Sequence, residues 1–566
     1  MSSIDWFVLI FTITVIVIYG IWKSRGTKTI DTFLLADRKF NGWFVGFSVM
    51  ATQASAITFL SAPGQGFTDG LRFVQFYFGL PLAMIAICIW FIPVYKSLHV
   101  FTAYEYLEQR FNRRMRLLTA ALFLFQRALS TGVTIYAPAL VLSTILGTDI
   151  VATTIVTGCL VILYTVYGGT KAVSHTQMLQ MAIIFAGLFL AAILIIQQLP
   201  AEIGFVQALQ IAGKMQKLNA IDLSFDLNNR YNLWSGIIGG FFLQLSYFGT
   251  DQSQVGRYLT GSSANQSRLG LIMNGFLKIP MQFLILLIGV LVYVCYIFYT
   301  PPMFFNQQVL EQSKQNQPLA FEQMQHVFDS NQLLQKHTAL LLVQNLKQND
   351  AAAIANQTHT MQQLESNKIA IRDSVKTLIK QNNKQADTND SNYIFLGFVI
   401  NYLPKGIIGL LVAIIFLSAM GATASGLNAL TSTCIVDFYK PVVANASAGH
   451  YLKASRWVTF IWGVFCIITA MYASRLGNLI EAVNIMGSLF YGTILGIFCV
   501  AIFCKVVGSV AVFYAAIIAE ILVVISWWYD VMAFLWLNVL GCLCVVCLAL
   551  FIQWILNFLT KQEKVI

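Results

Sequence analysis

Long apolar segments recur along the whole chain, and they constrain its fold more than any other feature. The segments "IDWFVLIFTITVIVIYGIW" and "FLKIPMQFLILLIGVLVYVCYIFY" are two examples. About 20 apolar residues in a helix cross the roughly 30 Å hydrocarbon core of a bilayer. With 57% hydrophobic and only 10% charged residues, the chain is apolar throughout. We therefore predict an all-α protein that crosses a membrane many times.

Thirteen candidate spans can be read from the sequence, and we number them 0 to 12. They start near Asp5, Phe44, Arg72, Met115, Ile150, Thr176, Leu233, Gly270, Phe395, Trp457, Leu479, Gly508 and Phe534. The first span has no basic segment before it and no small-residue cleavage site. We therefore interpret it as a retained helix and not as a signal peptide.

Basic residues lie in alternate loops, which predicts the orientation of the chain in the membrane. They are Lys23, Arg25, Lys28, Arg38, Lys39, Lys96, Arg110, Arg113, Arg114, Arg116, Lys171, Arg257, Arg268, Lys440, Lys453 and Arg456. We expect the N-terminus outside and the C-terminus, with Lys561 and Lys564, in the cytoplasm. The membrane is a plasma membrane, or the inner membrane if the source is bacterial. Topology then explains most of the formal charge of +11, and no nucleic-acid partner is predicted.

The ten cysteines lie in or beside the apolar spans. Cys544 and Cys547 form a C-x-x-C motif, but no histidine or carboxylate accompanies it at lipid depth. Plain packing is favoured over metal or redox chemistry, which remains the alternative. We therefore predict neither a catalytic metal nor an organic cofactor.

One segment, residues 301–392, breaks the apolar pattern. It is rich in Gln and Asn, balanced in charge and free of cysteine, and the predicted topology puts it outside. Leu364, Ile371, Val375 and Leu378 recur at helical spacing, which predicts an amphipathic helical hairpin in part of it. The favoured interpretation is a solvated, variable insertion. The alternative is a docking cap or an element that binds an external partner.

Spans 1, 6 and 8 contain unusually many small and polar residues. Span 1 reads "GWFVGFSVMATQASAITFLSAPGQGFTDG", and span 6 reads "WSGIIGGFFLQLSYFGTDQSQVGRYLTG". Such a stretch indicates either close helix packing or a broken helix that lines a cavity. Spans 1 and 6 take corresponding places in two five-helix halves, as in a transporter built from an inverted repeat of the LeuT type.

The predicted organisation follows from these halves. Residues 1–43 form an extra N-terminal helix and a cytoplasmic loop, and residues 44–232 form the first repeat with spans 1–5. Residues 233–505 form the second repeat with spans 6–10, interrupted by the insertion. Residues 506–566 form two further helices and a short cytoplasmic tail.

Several motifs appear in order along the chain. They are "TAYEYLEQRF" (102–111), "IYAPALVL" (135–142), "YTVYGGTKAV" (164–173), "FGTDQSQVGRYL" (248–259) and "LNALTSTCIVDFYK" (427–440). With them the chain resembles the solute:sodium symporter family, which includes the sodium/glucose, sodium/iodide, monocarboxylate and multivitamin transporters. The resemblance covers nearly the whole chain except residues 301–392. It implies a LeuT-like fold with one extra N-terminal helix, alternating access, and a sodium site between spans 1 and 8.

By position, the resemblance assigns the sodium ligands to the carbonyls of Ala51 and Ala54, the carbonyl of Ser418, and the positions of Gly421 and Ala422. Family members usually have Ser or Thr at the last two positions, so two oxygen ligands are missing here. Hard cations require oxygen ligands, and two such losses would weaken binding by roughly a hundredfold or more.

The start of span 5 shows a second departure from the family. Where the family commonly has W-T-D, this chain has His175, Thr176 and Gln177, so a carboxylate is absent. Sodium remains the expected coupling ion. Coupling to protons, or no ion coupling, is the alternative.

Two charged residues lie at bilayer depth, where charge is costly and indicates function. They are Arg127 in span 3 and Lys278 in span 7, and sugar-transporting relatives place a substrate-contacting lysine at the position of Lys278. Two cations facing one cavity would suit an anionic solute. Snorkelling to the interface is the structural alternative for both side chains.

The resemblance also assigns the remaining pocket residues by position. They are Thr58 in span 1, Gln244, Tyr247 and Phe248 in span 6, and Asn484 in span 10. Aromatic side chains there would supply stacking surface, and the amides would supply directional hydrogen bonds.

The predicted function is secondary active transport of a small polar or anionic solute, with sodium as the coupled ion and lipid as the surroundings. A transporter-like sensor is a rival interpretation, disfavoured because the chain ends soon after span 12. An enzyme is not predicted, since the spans contain no paired carboxylates, metal-ligand cluster or Ser-His arrangement.

Overall fold

The computed structural model describes residues 1–24, 38–384, 386–473 and 476–563, and these residues are almost entirely helical. The α-helices are α1 (Ser3–Ser24), α2 (Gly42–Gln53), α3 (Ala56–Asp69), α4 (Leu80–Ala86), α5 (Ile92–Ser97), α6 (Glu105–Arg110), α7 (Arg113–Leu146), α8 (Ile150–Gln197), α9 (Phe205–Lys214), α10 (Gly240–Thr250), α11 (Gln252–Tyr258), α12 (Ala264–Phe298), α13 (Gln307–Asn316), α14 (Pro318–Gln348), α15 (Ala351–Asn382), α16 (Ser391–Tyr402), α17 (Ile407–Thr433), α18 (Ala448–Met471), α19 (Leu479–Phe503), α20 (Ser509–Trp528) and α21 (Phe534–Glu563). Within these described ranges the sheet content is one isolated bridge, between Phe40 and Gly261.

Ten helical segments of the described chain are long and apolar enough to cross a membrane, against thirteen predicted spans. The difference has identifiable causes. Span 1 is broken, and its second half is continuous with span 2 in Ala56–Ser97. Span 4 contributes only a short apolar stretch, Ile150–Leu163. Span 6 is divided into pieces of 5, 11 and 7 residues.

The predicted interruptions of spans 1 and 6 are confirmed. Between α2 and α3, the N–H of Ser55 donates to the carbonyl of Gln53 at 2.9 Å, so the carbonyl of Ala51 lacks its usual helical donor. Between α10 and α11, Asp251 has an extended backbone (φ −77°, ψ 120°) and caps α11 by accepting from the N–H of Ser253. Each break therefore exposes backbone polar groups inside the bundle.

Span 8 behaves differently from spans 1 and 6. Its helix α17 is continuous, so its small residues serve close packing. A Cβ atom on Gly409 would overlap the backbone of Asp5, and one on Gly426 would overlap the side chain of Thr131. The predicted start near Phe395 was wrong, because Ser391–Tyr402 is a separate helix that ends before Pro404.

Spans 4 and 5 were predicted as two helices, yet both lie in one helical run, Ile150–Gln197. At 1.5 Å per residue, a straight helix of 48 residues would be roughly 70 Å long, far more than a bilayer core requires. Its apolar segments, Ile150–Leu163 and Val173–Gln197, are separated by a more polar stretch. The connection expected between spans 4 and 5 is therefore itself helical.

The insertion forms three helices, α13 to α15, which we call the cap. Met303, Phe304, Leu310, Phe321, Phe328, Val375 and Ile379 give this part of the chain a small core of its own. The Gln332 amide donates to the carbonyls of Tyr296 and Ile297, both at 2.8 Å, and so caps the C-terminal end of α12. The predicted amphipathic hairpin is confirmed by α14 and α15, whose outward side chains are largely exposed, and the segment also packs on the end of α12.

The interface between the two long cap helices is partly charged. Lys368 is buried there and donates to the Gln335 carbonyl oxygen at 3.2 Å. Burial lowers the pKa of Lys368 to about 8. Gln335 in turn donates to Glu365 at 2.7 Å, so the glutamine links a lysine and a carboxylate across the two helices.

Helix α12 packs closely along the broken span 1. Cβ atoms on Gly66 and Gly289 would overlap the backbones of Leu286 and Pro63, respectively. Such backbone contact is typical of membrane helices that associate through small residues. It holds α3 in place beside the break, where the cavity described below begins.

Candidate functional site

A small cavity of about 90 Å³ lies where the two broken spans meet helices α7 and α19. It is lined by Gln53, Ser55, Ile57, Thr58, Phe76, Tyr77, Arg127, Leu243, Gln244, Tyr247, Ile480, Val483, Asn484 and Tyr491. This volume corresponds to about three water molecules. The cavity is therefore small and suits a few non-hydrogen atoms.

Five of the seven predicted substrate residues come together at this cavity: Thr58, Arg127, Gln244, Tyr247 and Asn484. Phe248 does not line it. Its side chain is fully buried behind Tyr247, with ring centroids 4.9 Å apart. Lys278 also lies outside the lining, and its ammonium is 5.8 Å from the ring centre of Tyr77.

Several polar atoms at the cavity have no hydrogen-bond partner among the described residues. They are both amide atoms of Gln244, the carbonyl oxygen of Gln53 and the Nε of Arg127. A buried polar group without a partner costs about 1–3 kcal/mol. This set of donors and acceptors would be satisfied by a polar molecule in the cavity.

Arg127 does not face the cavity as a free cation. Its guanidinium forms an ion pair with Asp251 at the break in span 6 and donates to the Tyr491 hydroxyl at 3.0 Å. Tyr491 also donates to Asp251, at 3.0 Å. The expectation of two cations in one cavity was therefore wrong, because Asp251 neutralises one of them.

Asp251, Tyr491, Gln53 and Tyr77 were not predicted from the sequence as site residues. Asp251 lies inside the quoted motif "FGTDQSQVGRYL" and is acidic at bilayer depth, which was a usable signal. Tyr491 is one aromatic residue in an apolar helix, and no pattern distinguishes it from packing residues. Its role depends on a contact 364 positions along the chain, to Arg127.

Lys278 is part of a buried polar stripe on α12. Asn274, Lys278 and Gln282 are spaced four residues apart, and each is fully buried. The amide atoms of Asn274 and Gln282 and the ammonium of Lys278 have no hydrogen-bond partner among the described residues. The snorkelling alternative does not apply to Lys278, since its side chain has no exposed surface.

The five predicted sodium residues lie at the contact between the broken span 1 and α17. Ala51 and Ala54 flank the break, and both are buried. The Ser418 hydroxyl donates to the carbonyl of Ile414 at 2.7 Å. Gly421 and Ala422 contribute no side-chain oxygen, as the sequence indicates. The Ala51 carbonyl lacks its helical donor, whereas positions 421 and 422 supply no side-chain oxygen, so the sodium site stays a prediction.

The space beside Gly421 is also occupied. A Cβ atom there would lie 2.6 Å from the side-chain oxygen of Gln180. A serine at position 421 would therefore require Gln180 to move. The side chains of Gln177 and Gln180 therefore occupy the space beside position 421.

The two ends of the bundle differ. At the end that carries the cap, which we call the cap end, the Asn478 amide donates to Gln65 at 3.0 Å and to Ser391 at 3.1 Å. These bonds join α3, α16 and the start of α19 above the cavity. At the opposite end, a narrow polar cleft is lined by Gln252, Ser253, Gly256, Arg257, Ser425, Asn428, Ala429 and Ser432.

Comparison with protein families matches residues 33–333 and 374–519 to the sodium:solute symporter family. The unmatched residues 334–373 lie within the cap. The chain is 26% identical over 502 residues to the sodium-dependent multivitamin transporter of Oryctolagus cuniculus, a match that covers 88% of this chain and 65% of the relative. It is 26% identical over 494 residues to the human sodium-coupled monocarboxylate transporter 1, covering 87% and 67%.

The human sodium/iodide cotransporter is 32% identical over 258 residues, which cover 45% of this chain and 40% of the relative. The chain thus spans about two thirds or less of the curated relatives it matches. Among solved structures, a Na+-coupled sialic acid symporter superposes with a TM-score of 0.74 at 21% identity and covers 98% of both chains. That similarity establishes a shared fold.

Proposed function

The chain belongs to the sodium:solute symporter family, and we propose that it is a secondary active transporter of a small polar or anionic solute. As a multi-pass protein of the plasma membrane (the inner membrane in a bacterium), it moves the solute by alternating access. Sodium is the co-transported ion. The relatives that match are transporters and not enzymes.

The cavity between the broken spans supports the transport proposal. Two helix breaks expose backbone groups at bilayer depth, where irregular backbone is tolerated only if it lines a cavity or is buried in protein. Gln244, Gln53 and Arg127 present unpaired polar atoms there. A solute with both donor and acceptor groups would satisfy them, and it would be released when the breaks rearrange.

Lys278 is the single observation that favours an anion. The side chain is fully buried, and its ammonium has no hydrogen-bond partner among the described residues. An isolated charge in a low-dielectric interior is costly unless a counter-charge accompanies it. Tyr77 lines the cavity, and its ring centre lies 5.8 Å from this ammonium. The charge of Arg127, by contrast, is already neutralised by Asp251. An anionic solute would supply the missing charge at Lys278.

Closure at one end supports alternating access. The hydrogen bonds of Asn478 to Gln65 and Ser391 close the cap end. The polar cleft beside Arg257 and Asn428 lies at the opposite end of the bundle. A transporter of this kind opens the two ends in turn. Ala51, Ala54 and Ser418 would hold sodium through their carbonyls beside the break.

A thermal-unfolding screen of the purified protein tests the solute class. Small carboxylates, halides and sugars are added in sodium or in choline, and the solute that stabilises the protein is then used in proteoliposome uptake. We expect a small monovalent anion, and Lys278→Met should weaken its apparent affinity by about tenfold or more, because a charge-assisted contact is lost. Lys336→Met, which changes an exposed lysine of the cap, should leave affinity unchanged.

Stabilisation by neutral sugars alone, with unchanged affinity in Lys278→Met, would overturn the anion assignment. A second candidate function has its own support. Gly421 and Ala422 lack the hydroxyl groups, and Gln177 lacks the carboxylate, that the family usually has there, which favours coupling to protons or no ion coupling. Equal uptake in sodium, potassium and choline would make that candidate the better account.

A further inference from the structure

Helix α14 of the cap exposes a row of large apolar side chains. Leu319, Val327, Leu333, Leu334 and Leu340 are exposed by 73, 59, 68, 59 and 36%, respectively. At 3.6 residues per turn, these side chains lie within an arc of roughly 140° and extend over roughly 32 Å of the helix. We call this arc the α14 stripe. Single exposed apolar residues are ordinary on a protein surface, but a contiguous group marks a contact surface.

The other long cap helix has no such row. Exposed positions of α15 are polar, as at Asn356, His359, Gln363, Ser366, Asn367, Asp373 and Ser374. Within the described chain, Ile369 is the one large apolar side chain that α15 exposes. Helix α14 is also not among the ten segments that are apolar enough to cross a membrane. The stripe is therefore a property of one face of one cap helix, as expected for a docking surface.

One edge of the stripe carries a divided charge pattern. Glu322 and Asp329 lie on the first half of this edge, and Lys336 and Lys347 lie on the second half. None of these four charges forms an ion pair within the part of the chain that the structure describes. A partner that carries the same charges in reversed order would neutralise the edge along its whole length.

A second copy of α14 that runs antiparallel supplies the apolar half of this match. A twofold axis brings the same face of both copies together. With the axis between Leu333 and Leu334, each of these leucines lies opposite the other one of the partner copy. Val327 of one copy then lies opposite Leu340 of the other. The exposed apolar residues of the stripe thus cover each other.

The same arrangement also matches the charges. Lys336 of the partner copy lies within two positions of Asp329, and Lys347 of the partner copy lies within two positions of Glu322. Opposite charges at the edges of a helix pair set the orientation of the two helices. A parallel pair would instead place each acidic residue beside the acidic residue of the other copy, so the charges favour the antiparallel pair.

A groove opens beside the acidic half of this edge, between α13 and α14. Its volume is about 280 Å³, and its lining includes Phe321, Glu322 and Asp329. The lysine in its wall, Lys314, already pairs with Glu311. A long side chain with a cationic end suits an aromatic and acidic groove, because its carbon chain packs while its charge is paired. Lys347 of an antiparallel partner copy would reach this groove.

We propose that the α14 stripe binds the same stripe of a second copy of this chain, in an antiparallel arrangement, so that two molecules are joined through their caps. Two copies in one membrane keep the same orientation, so the axis between them runs along the membrane normal and both caps stand on the same side. Leu334 and Leu340 lie in the segment 334–373, which the family does not match. The interface does not depend on which solute is transported.

Association of the full-length protein in lipid vesicles tests the proposal. Two samples labelled with different fluorophores are mixed, and energy transfer is measured as the protein-to-lipid ratio is lowered. Leu334→Glu should raise the ratio at half-association by about a hundredfold, because two carboxylates would be buried beside the axis. Ile369→Glu is the matched control, since it changes an exposed apolar residue of α15, and it should leave association unchanged.

A charge exchange tests the edge with variants that change only exposed side chains. Lys347→Glu and Glu322→Lys should each weaken association about fivefold, and the two substitutions together should restore it. Added salt should weaken the wild type and the double variant alike. A double variant weaker than both single variants would contradict the paired edge.

Cross-linking with a short bis-maleimide tests the direction of the helices. A Gln323→Cys copy should cross-link to a Gln344→Cys copy, because these positions lie opposite each other, and protein without these cysteines is the control. Cross-linking between two Gln323→Cys copies alone would show a parallel pair and overturn the proposal. Wild-type protein that stays monomeric at every protein-to-lipid ratio would also overturn it, since another partner or lipid would then cover the stripe.

Discussion

Arg127 and Asp251 form a buried ion pair at the edge of the cavity, and the coupling free energy between the two residues can be measured. Breaking a buried pair leaves an uncompensated charge, which costs about 3–5 kcal/mol. Arg127→Met and Asp251→Asn should each lower the unfolding free energy by about that amount. The double variant should recover much of the loss, because neither charge remains. A double-mutant cycle on detergent-solubilised protein measures this coupling.

The control is an exposed pair in the cap, Lys314 with Glu311, whose charges are 3.0 Å apart. Removing it should change stability by less than about 0.5 kcal/mol. Additive losses in the Arg127 and Asp251 variants would show that the two residues act separately. Arg127 would then be available to a solute, as the sequence alone indicated.

At this scale the sequence predicts which residues are unusual but not what they contact. Arg127 and Lys278 were both selected because charge is costly at bilayer depth. The structure separates them, since Arg127 has a carboxylate partner 124 positions away and Lys278 has none among the described residues. Pairing across that separation depends on tertiary packing, which helical periodicity does not record.

Helix α16 connects the cap to the closure at the cap end. Arg372 of the cap pairs with Asp390 at 2.6 Å, and Asp390 also accepts from the N–H of Phe305 at 2.7 Å. The next residue, Ser391, accepts from Asn478. The cap therefore holds the start of α16, which Asn478 in turn joins to α19.

Arg372→Met should loosen this connection. We expect hydrogen exchange in α16 and in the first turns of α19 to become about tenfold faster or more, because local opening no longer breaks a partly buried ion pair. Exchange measured by mass spectrometry on the full-length protein reports this directly. No solute needs to be known for the measurement.

Lys376→Met is the matched control, since Lys376 lies on the same helix and pairs with Asp373 at the surface. It should leave exchange in α16 unchanged. Faster exchange confined to the cap in Arg372→Met would contradict the connection. The cap would then be a docked but independent element.

The cap shows what the sequence predicts and what it misses, since its helical hairpin was predicted and its buried amide contact was not. Its Gln- and Asn-rich composition is typical of solvated segments, yet Gln332 is buried and closes the end of α12. Amides suit this use because they satisfy backbone carbonyls without burying charge. The breaks in spans 1 and 6 were predictable, by contrast, because small and polar residues at bilayer depth are stable only where helices pack closely or line a cavity.

At the scale of the whole molecule, the contacts of α1 and α19 indicate at which end of the bundle each of these helices begins. Asp5 accepts from the N–H groups of Gly406 at 2.6 Å and Gly409 at 3.3 Å, so α1 begins at the cap end. Helix α19 begins there too, beside Ser391. If α19, α20 and α21 each cross the bilayer, Glu563 lies at the opposite end from Asp5, and this arrangement stays a prediction.

Charge then predicts which side is outside. Lys96 bonds the Gly261 carbonyl at 2.6 Å, and Arg110 bonds the Lys505 carbonyl at 2.9 Å, so these basic residues cluster at the end opposite the cap. Arg25, Lys28 and Lys564, which the sequence assigns to the same side, lie outside the described residues. Positive loops remain cytoplasmic, which puts the cap and the N-terminus outside.

Accessibility in intact cells tests this orientation. A protease site inserted between Asn349 and Asp350, in the turn of the cap, should be cut by added protease without permeabilisation. A site inserted at Asn445, in the loop between α17 and α18, should be cut only after permeabilisation. The opposite pattern would reverse the topology. The helices would pack equally well in either membrane orientation. The orientation therefore depends on the basic loops, and moving their lysines and arginines to the opposite loops should invert the protein in the membrane.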